Sequence, residues 1–298
     1  MMQLFFKRIG FILLLGIGIT MLVSAGSLWL LRQSSFYKPS FLVHDIPEKD
    51  FDYIVLGAST GLTTLNTTVI DSVIQTKGIN LSMDDTALSS QYLMLEHFLA
   101  QGKRAKFCIL APSAASFDAN DPDISDNDYR FLPYVNEAYV FQYFKQYTST
   151  RAKLISNSKW LPMLGVSYFN VEVFYPSLFT IIQPKKRNRF DAKGNYTYPI
   201  KNNKDAAISE FKAFPVSFSN HYVAKIKALC MANNIELICY FSPIKGKKVS
   251  TETTSFSIIN HSDVLKNEAY FYDEIHVNTR GREIASTHFA NVFQTLLK

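Results

Sequence analysis

The first clear pattern along the chain is an apolar stretch from Ile9 to Leu31 that contains no charged residue. A helix rises about 1.5 Å per residue, so roughly 20 residues cross a hydrocarbon core about 30 Å thick. The stretch therefore predicts a transmembrane anchor within residues 1–32. A cleaved secretory signal has a shorter apolar core of about 7–15 residues, which favours an uncleaved anchor, although the small residues Val23 to Ala25 leave cleavage open.

Charges on either side of this stretch predict its orientation. Lys7 and Arg8 stand directly before it, whereas Arg32 and Lys38 follow it. With the amino terminus added, the positive-inside rule places the N-terminus in the cytoplasm and the rest of the chain in the periplasm or at the cell surface. Arg32 is close enough to the membrane to count for the opposite orientation.

A polar segment with Pro39 and Pro47 then predicts a linker over residues 33–50. Beyond it, short apolar runs alternate with amphipathic stretches. They predict strands at 51–57, 79–82 and 106–111 and helices at 67–76 and 88–101. The order β-α-β-α-β with right-handed crossovers indicates a parallel sheet covered by helices on both faces, a three-layer αβα fold of the α/β class.

Regularity is lost between about residues 113 and 205, where only 134–144 and 151–164 show a helical pattern. A crossover needs about a dozen residues or more, so this aromatic-rich stretch is expected to be an insertion that shapes a binding surface. Regularity returns with a helix at 218–233, a strand at 235–241 and a last helix at 279–297. The α/β domain is therefore expected to cover residues 51–298.

Composition agrees with a folded domain, since the 298 residues are 47% hydrophobic and 19% charged. The net charge of +6 is mild, and basic residues cluster only at Lys185, Lys186, Arg187 and Arg189 and at Lys247 and Lys248. These clusters are expected to be solvated loops, with contact to anionic glycan or lipid headgroups as the alternative. No nucleic-acid motif is present.

The sequence contains few residues with the spacing of a metal or cofactor site. The three cysteines, Cys108, Cys230 and Cys239, lack metal-ligand spacing; Cys108 is expected in the core, and a disulfide between the other two stays open. No histidine cluster has zinc-site spacing and no glycine-rich phosphate loop occurs, so no metal and no nucleotide cofactor are expected. Of the histidines outside the candidate site below, only His261 is considered for substrate binding.

Two separated stretches carry candidate catalytic residues. The first strand ends at Gly57, and Ser59 follows it at the edge of a parallel sheet where ligands bind. Near the other end of the chain, Asp273 and His276 stand three residues apart before a turn and the last helix. A serine becomes a nucleophile when an imidazole removes its proton and a carboxylate orients that imidazole. Each stretch also has a structural interpretation, as an ordinary strand end and as a capping Asp followed by a surface His.

Together the two stretches resemble the SGNH (GDSL-type) hydrolase superfamily, and the resemblance covers residues 51–298. The most similar members are its membrane-anchored extracytoplasmic proteins that handle O-acyl groups of envelope polysaccharides, such as alginate acetylation proteins and the DltD-like group. The resemblance implies a flavodoxin-like fold, with Ser59 as nucleophile, His276 as base and Asp273 as its orienting carboxylate. Asn80 matches an asparagine that often precedes the second sequence block of such members.

Other positions depart from the family pattern. The first block reads Gly57, Ala58, Ser59 instead of Gly-Asp-Ser, the oxyanion glycine of the second block is missing, and the third block lacks its Gly-x-Asn. The remaining oxyanion donors are the backbone N–H of Thr60 and the side chains of Asn80 and Ser113. Losing one such donor typically lowers the rate by about 10²–10³-fold. The triad is therefore expected to be intact, and whether an oxyanion hole forms is left undecided by the sequence.

The expected function is a membrane-anchored serine acyltransferase or esterase that acts on O-acyl groups, most simply O-acetyl, of an envelope or exported polysaccharide. Its partners are a glycan or acylated substrate and, for a transferase, a multispan membrane acyltransferase that supplies the acyl donor. Two alternatives remain: a catalytically degenerate scaffold or glycan-binding protein of the envelope, and a lipase or small-ester hydrolase with an open apolar pocket.

Overall fold

The computed structural model describes residues 2–120, 122–201, 205–252 and 255–297. In chain order, its helices are α1 (Met2–Arg32), α2 (Lys38–His44), α3 (Ser59–Thr64), α4 (Thr67–Ile74), α5 (Leu88–Ala100), α6 (Ala138–Lys145), α7 (Thr150–Asn157), α8 (Met163–Tyr168), α9 (Tyr175–Ile182), α10 (His221–Ala232) and α11 (Thr279–Phe293). Its strands are β1 (Asp50–Gly57), β2 (Gly78–Asn80), β3 (Arg104–Ala111), β4 (Lys212–Val216), β5 (Glu236–Phe241), β6 (Lys247–Thr251) and β7 (Ser257–Asn260).

The chain forms two compact units. Met1–Ile46 and Asp128–Asn188 make up the first, here called the helical unit, and Pro47–Asn127 and Arg189–Lys298 make up the second, the sheet unit. Of the stretch 113–205, expected to be an insertion, residues 128–188 belong to the helical unit and the residues on both flanks belong to the sheet unit.

A five-stranded parallel sheet in the order β2-β1-β3-β5-β7 is the centre of the sheet unit. The α/β class and the parallel central sheet are thus confirmed. The order reverses at β1, because the chain first moves to β2 on one side and then returns to β3 on the other. Such a switch point leaves a crevice at the carboxyl ends of the two strands, here β1 and β3.

One face of this sheet is covered by α4 and α11. Strand residues such as Tyr53 and Ile109 form one buried cluster with Ile70 of α4 and with Phe289 and Phe293 of α11. Burying one such side chain contributes about 1.5–3 kcal/mol to folding. The cluster therefore fixes α11, and with it the turn that precedes this helix, against the sheet.

The opposite face of the sheet carries the intervening residues, since successive side chains of a strand alternate between faces. There the Cys108 thiol of β3 contacts Cys230 of α10, and burial together with this contact raises the pKa of Cys108. Helix α10 in turn contacts α5. All three cysteines are buried free thiols, so the disulfide left open between Cys230 and Cys239 is not formed.

Some elements of the sheet unit were not expected from the sequence. Strand β7 adds a fifth strand to the sheet, and β4 and β6 form a separate two-stranded parallel pair. These strands are four or five residues long and carry several polar residues, so they lack the long apolar run that marked β1 and β3.

The helical unit contains the predicted apolar helix α1, which is long and apolar enough to cross a membrane. Its buried residues all lie near its carboxyl end, where it contacts α8 and α9. Residues 33–50, expected to be a linker, instead contain helix α2, with Pro39 in its first turn and Phe41 and Leu42 fully buried. Proline suits a first helical turn, where its missing N–H has no intrahelical acceptor to lose.

The two helices expected at 134–144 and 151–164 are each interrupted. A 3₁₀ segment, Asp128–Tyr134, precedes α6. Helix α7 ends at Asn157, where the Ser158 hydroxyl donates to the Leu154 carbonyl (2.7 Å) and accepts from the N–H of Gly165 (2.8 Å). This side chain joins α7 to the start of α8 through a local bond that periodicity does not reveal.

Candidate active site

Ser59 is the first residue of α3 and lies immediately beyond β1. The end of the strand is closely packed: a Cβ at Gly57 would come 2.2 Å from the Ala111 carbonyl oxygen of β3. One turn further on, a Cβ at Gly61 would approach the same oxygen to 2.6 Å. Both positions need glycine because of this close approach, which holds Ser59 at the crevice of the sheet.

Asp273 and His276 lie on a tight turn before α11. Phe271 and Val277 pair as an antiparallel bridge across it, and the N–H of Tyr272 donates to the His276 carbonyl (2.8 Å). Asn278 caps α11 by accepting from the N–H groups of Arg280 and Gly281 (3.0 and 3.2 Å) and donates to the Ala269 carbonyl (2.7 Å). The three-residue spacing thus places the carboxylate and the imidazole on one side of a braced turn.

The structure brings Ser59, His276 and Asp273 together, although the serine is 217 residues away from the histidine in sequence. Ser59 Oγ lies 2.8 Å from His276 Nε2. On the other side of the ring, Nδ1 lies 2.8 Å from Asp273 Oδ2 and 3.0 Å from Oδ1. An ionised carboxylate only accepts, so Nδ1 carries the proton and Nε2 is free to accept from the serine hydroxyl.

Asp273 is kept ionised by its hydrogen bonds. Burial raises the pKa of this carboxyl, but the bonds from the His276 ring and from the N–H groups of Ile275 and His276 outweigh burial and leave the pKa below its usual value. Those backbone bonds measure 3.0 and 2.9 Å. The carboxylate is therefore charged at neutral pH, as a group that stabilises an imidazolium must be.

Two stacked tyrosines lie beside the histidine. The rings of Tyr198 and Tyr272 are 4.2 Å apart at an interplanar angle of 11°, and the Tyr198 ring lies 5.1 Å from that of His276. The Tyr198 carbonyl accepts from the N–H of Thr279 (3.0 Å), which fixes this segment to the start of α11. Tyr198 therefore packs beside the imidazole and limits its movement.

An open cavity of about 430 Å³ adjoins Ser59. Polar side chains predominate in its wall, which comprises Ala58, Ser59, Asp85, Thr86, Ala87, Ser113, Ser116, Ile124, Ser125, Asp126 and Ile275. Sequence reasoning identified only Ser59 and Ser113 of this set. The residues on the loops after β2 and after β3 lack a motif that would have indicated them.

The three candidate oxyanion donors have different surroundings. The N–H of Thr60 precedes the first bond within α3, from Leu62 N–H to the Ala58 carbonyl, so helix geometry gives it no intrahelical acceptor. Asn80 is fully buried, and its amide donates to the carbonyls of Gly61 (3.2 Å) and Leu65 (3.0 Å). Ser113 lines the cavity, where its hydroxyl is 2.8 Å from that of Ser116.

Asn80 thus braces helix α3, which begins at Ser59. Its Oδ1 also accepts from the N–H of Ser82 (3.0 Å), so this one side chain links the segment after β2 to α3.

His261 is buried against Tyr240 and His288. Within the described ranges, no group of three or more His, Cys, Asp or Glu side chains is arranged to hold a metal ion.

No protein-family model matches the chain, and no curated protein matches it significantly. The geometry of the chain's own side chains is therefore the observation that bears on its function.

Proposed function

We propose that this protein is a membrane-anchored serine acyltransferase or esterase that acts on O-acyl groups of an envelope or exported polysaccharide. Acetyl is the acyl group we expect. The observation that carries the proposal is the hydrogen-bonded chain from Ser59 Oγ through the His276 ring to the Asp273 carboxylate, with both bonds at 2.8 Å. A nucleophile, a base and its orienting group within hydrogen-bond reach are what acyl transfer through serine requires.

The reaction follows from this arrangement. His276 Nε2 takes the hydroxyl proton as Ser59 Oγ attacks the acyl carbonyl carbon, and Asp273 stabilises the imidazolium that forms. The imidazolium then donates the proton to the leaving oxygen, and the acyl group remains on Ser59 as an ester. In the second half, His276 deprotonates either water or a sugar hydroxyl, which attacks that ester and releases the free serine.

The cavity favours a polar substrate. Serine hydroxyls and the carboxylates of Asp85 and Asp126 predominate around Ser59. A lipase or small-ester hydrolase would need an apolar pocket for its acyl or alcohol chain. Hydroxyl and carboxylate groups instead suit the many hydroxyls of a glycan, so we place the lipase interpretation below the polysaccharide one.

We further infer a three-layer αβα, flavodoxin-like fold of the SGNH type for the sheet unit. Numbered along the chain, the strands of the main sheet stand in the order 2-1-3-4-5, which is the flavodoxin-like order. The position of Ser59 directly after the first strand, at the switch point, supports the same family. For a transferase, a multispan membrane acyltransferase is the expected source of the acyl group.

A second candidate is an envelope scaffold or glycan-binding protein that has lost catalysis. It is favoured by the surroundings of Asn80, whose amide is committed to two backbone carbonyls. Only the N–H of Thr60 and the Ser113 hydroxyl then remain of the oxyanion donors expected from the sequence. A scaffold would not need an activated serine, so the reactivity of Ser59 separates the two candidates.

The proposal is tested by trapping the acyl-enzyme. The full chain, purified in lipid nanodiscs, is mixed with an aryl acetate and analysed by intact mass and peptide mapping, with and without an oligosaccharide acceptor. We expect one acetyl group on Ser59, and faster release of the aryl alcohol with acceptor if the protein is a transferase. Absence of acetylation in wild type, or equal acetylation in Ser59→Ala, would favour the scaffold.

A further inference from the structure

Helix α9 in the helical unit has an inverted distribution of polar and apolar residues. Its buried residues are Pro176, Ser177 and Thr180, whereas large apolar side chains are exposed, including Phe179 (55%) and Ile182 (82%). A surface helix of a water-soluble protein shows the opposite pattern, with its apolar stripe buried. The buried hydroxyls bond within the chain, Ser177 to the Phe174 carbonyl (2.6 Å) and Thr180 to the Ser177 carbonyl (2.7 Å).

Helix α1, which α9 contacts, also buries small polar residues and exposes large apolar ones. Helix α1 buries Ser24, Ser27, Leu28 and Leu31, a spacing that forms one face near its carboxyl end. Two of these four buried residues are serines, and small hydroxyl-bearing residues on a buried helix face, with large apolar residues outside, are typical of helices that associate in lipid. The contact between α1 and α9 is thus of the kind found inside membranes.

The position of this contact along α1 gives its depth. If the hydrocarbon core begins after Lys7 and Arg8, about 20 residues reach from Ile9 to Leu28. Ser24, Ser27 and Leu28 then lie in the last turns before the far boundary of that core. Helices α8 and α9 both contact α1, and all the buried residues of α1 lie at or just beyond this level.

The segments before and after α8 and α9 have the composition of a membrane interface. Trp160 precedes α8 and Tyr168 is its last residue, and both are more than half exposed. Lys185 and Lys186 follow α9 after two intervening residues, and the Lys186 ammonium lies 5.1 Å from the centre of the Phe179 ring. Aromatic residues are enriched at headgroup level, and lysines there attract anionic lipids.

We propose that α8, the π-helical segment Asn170–Phe174 and α9 form a lipid-facing surface embedded in the bilayer leaflet at the carboxyl end of α1. Phe179, Ile181 and Ile182 enter the acyl region, and Lys185 and Lys186 contact lipid phosphates. The helical unit is then attached by a transmembrane helix and by a second, non-spanning surface. The occupant of this apolar face is lipid, because the face is continuous with the helix that crosses the membrane.

Site-directed labelling of the full chain tests this surface. Ile182→Cys carries an environment-sensitive fluorophore in nanodiscs of phosphatidylcholine and phosphatidylglycerol. Leu14→Cys in α1 is the reference for lipid, and Met231→Cys in α10, 68% exposed, is the reference for a solvent-facing apolar residue. The wild-type chain is the blank, since its three thiols are buried.

We expect nitroxide-bearing lipids to quench the label at Ile182 as strongly as at Leu14, and iodide to quench it several-fold less than at Met231. Quenching at Ile182 by iodide to the extent seen at Met231 would overturn the proposal in favour of a solvated face. Protection from both quenchers would overturn it in favour of a face covered by a second copy. Neither outcome depends on chemistry at Ser59, so the result is separate from the proposed function.

Discussion

Asp273 combines an accessible position with a fixed geometry. Its side chain is 42% exposed, yet it accepts from the His276 ring and from two backbone N–H groups of the same turn. The bonds hold the carboxylate against Nδ1, so the turn itself sets the tautomer of the imidazole. The orientation of the imidazole thus depends on one carboxylate placed beside one ring nitrogen.

Replacing Asp273 with asparagine tests that role. An amide can offer its N–H to Nδ1 and so favour the tautomer that leaves Nε2 protonated and unable to accept from Ser59. We expect kcat for ester turnover to fall by about 10³–10⁴-fold while the fold is retained. Steady-state kinetics with an aryl acetate measures this.

Asp263→Asn is the matched control, because Asp263 forms ion pairs with Lys248 and Lys266 outside the candidate site. Its turnover is expected to equal that of wild type. Wild-type turnover in Asp273→Asn would show that the carboxylate does not orient the base.

At the scale of elements, the crevice depends on the close approach of β1 to β3. Replacing Gly57 with alanine would put a Cβ 2.2 Å from the Ala111 oxygen, which is a backbone atom that cannot rotate away. We expect a loss of about 1–3 kcal/mol in the free energy of unfolding and weaker labelling of Ser59. Denaturant unfolding of the purified chain gives the first quantity.

Gly26→Ala serves as its control, since nothing lies within 4 Å of a Cβ at that position in α1. Its free energy of unfolding is expected not to fall below that of wild type, because alanine is a better helix former than glycine. An unchanged unfolding midpoint in Gly57→Ala would mean that the strand ends are not as close as described.

A buried histidine directly after β7 predicts that the stability of the fold depends on pH. His261 is buried there, and burial together with nearby His288 lowers its pKa to about 4, against a weaker opposing effect of Asp263. Between pH 6.5 and about 4 the unfolded chain therefore binds a proton that the folded chain does not, so stability falls as the pH falls through this range. The full effect is about 3 kcal/mol and levels off below pH 4.

We expect His261→Gln to flatten the dependence of unfolding free energy on pH between about 4 and 6.5, whatever its effect at neutral pH. Chemical unfolding at several pH values provides the slopes. A slope equal to that of wild type would show that His261 does not titrate as a buried neutral group.

Local pattern predicted the elements that have strong periodicity or long apolar runs, including β1, β3, α5 and α11. It also predicted Ser59, Asp273 and His276 as candidates from residue type and turn spacing, and the structure joins these three side chains in one hydrogen-bonded chain. It did not predict α2, a seven-residue helix with two prolines nearby in sequence, whose Phe41 and Leu42 are fully buried. The cavity wall likewise depends on which loops the sheet order brings together, and Asp85 and Asp126 show no local signal of that.

For the whole molecule, the sequence indicated an anchor and one domain with an insertion. In the structure, residues 128–188 and the N-terminal segment form the helical unit, and the remaining residues form the sheet unit. The apolar stretch of α9 was not recognised as a surface, because an inverted helix has the composition of a core helix. Only the exposure of the apolar side chains in the structure distinguishes such a helix from a core helix.

The orientation of α1 in the membrane determines on which side the sheet unit lies. With the N-terminus in the cytoplasm, we expect alkaline phosphatase fused to the C-terminus to be active in a bacterial host, since that enzyme is active only outside the cytoplasm. Removing the two positive charges before α1, with Lys7→Gln and Arg8→Gln, is expected to lower this phosphatase activity several-fold. An inactive fusion at normal expression would place the sheet unit in the cytoplasm.

The most direct test of the central claim is labelling of Ser59 with a serine-reactive phosphonate in the full chain, followed by peptide mapping. The Ser59–His276 distance of 2.8 Å predicts one covalent adduct, on Ser59, in wild type. It also predicts labelling reduced by at least about 10³-fold in His276→Ala, because the hydroxyl then lacks its base. An unlabelled wild-type protein that is folded, or equal labelling of both proteins, would contradict the assignment of Ser59 as an activated nucleophile.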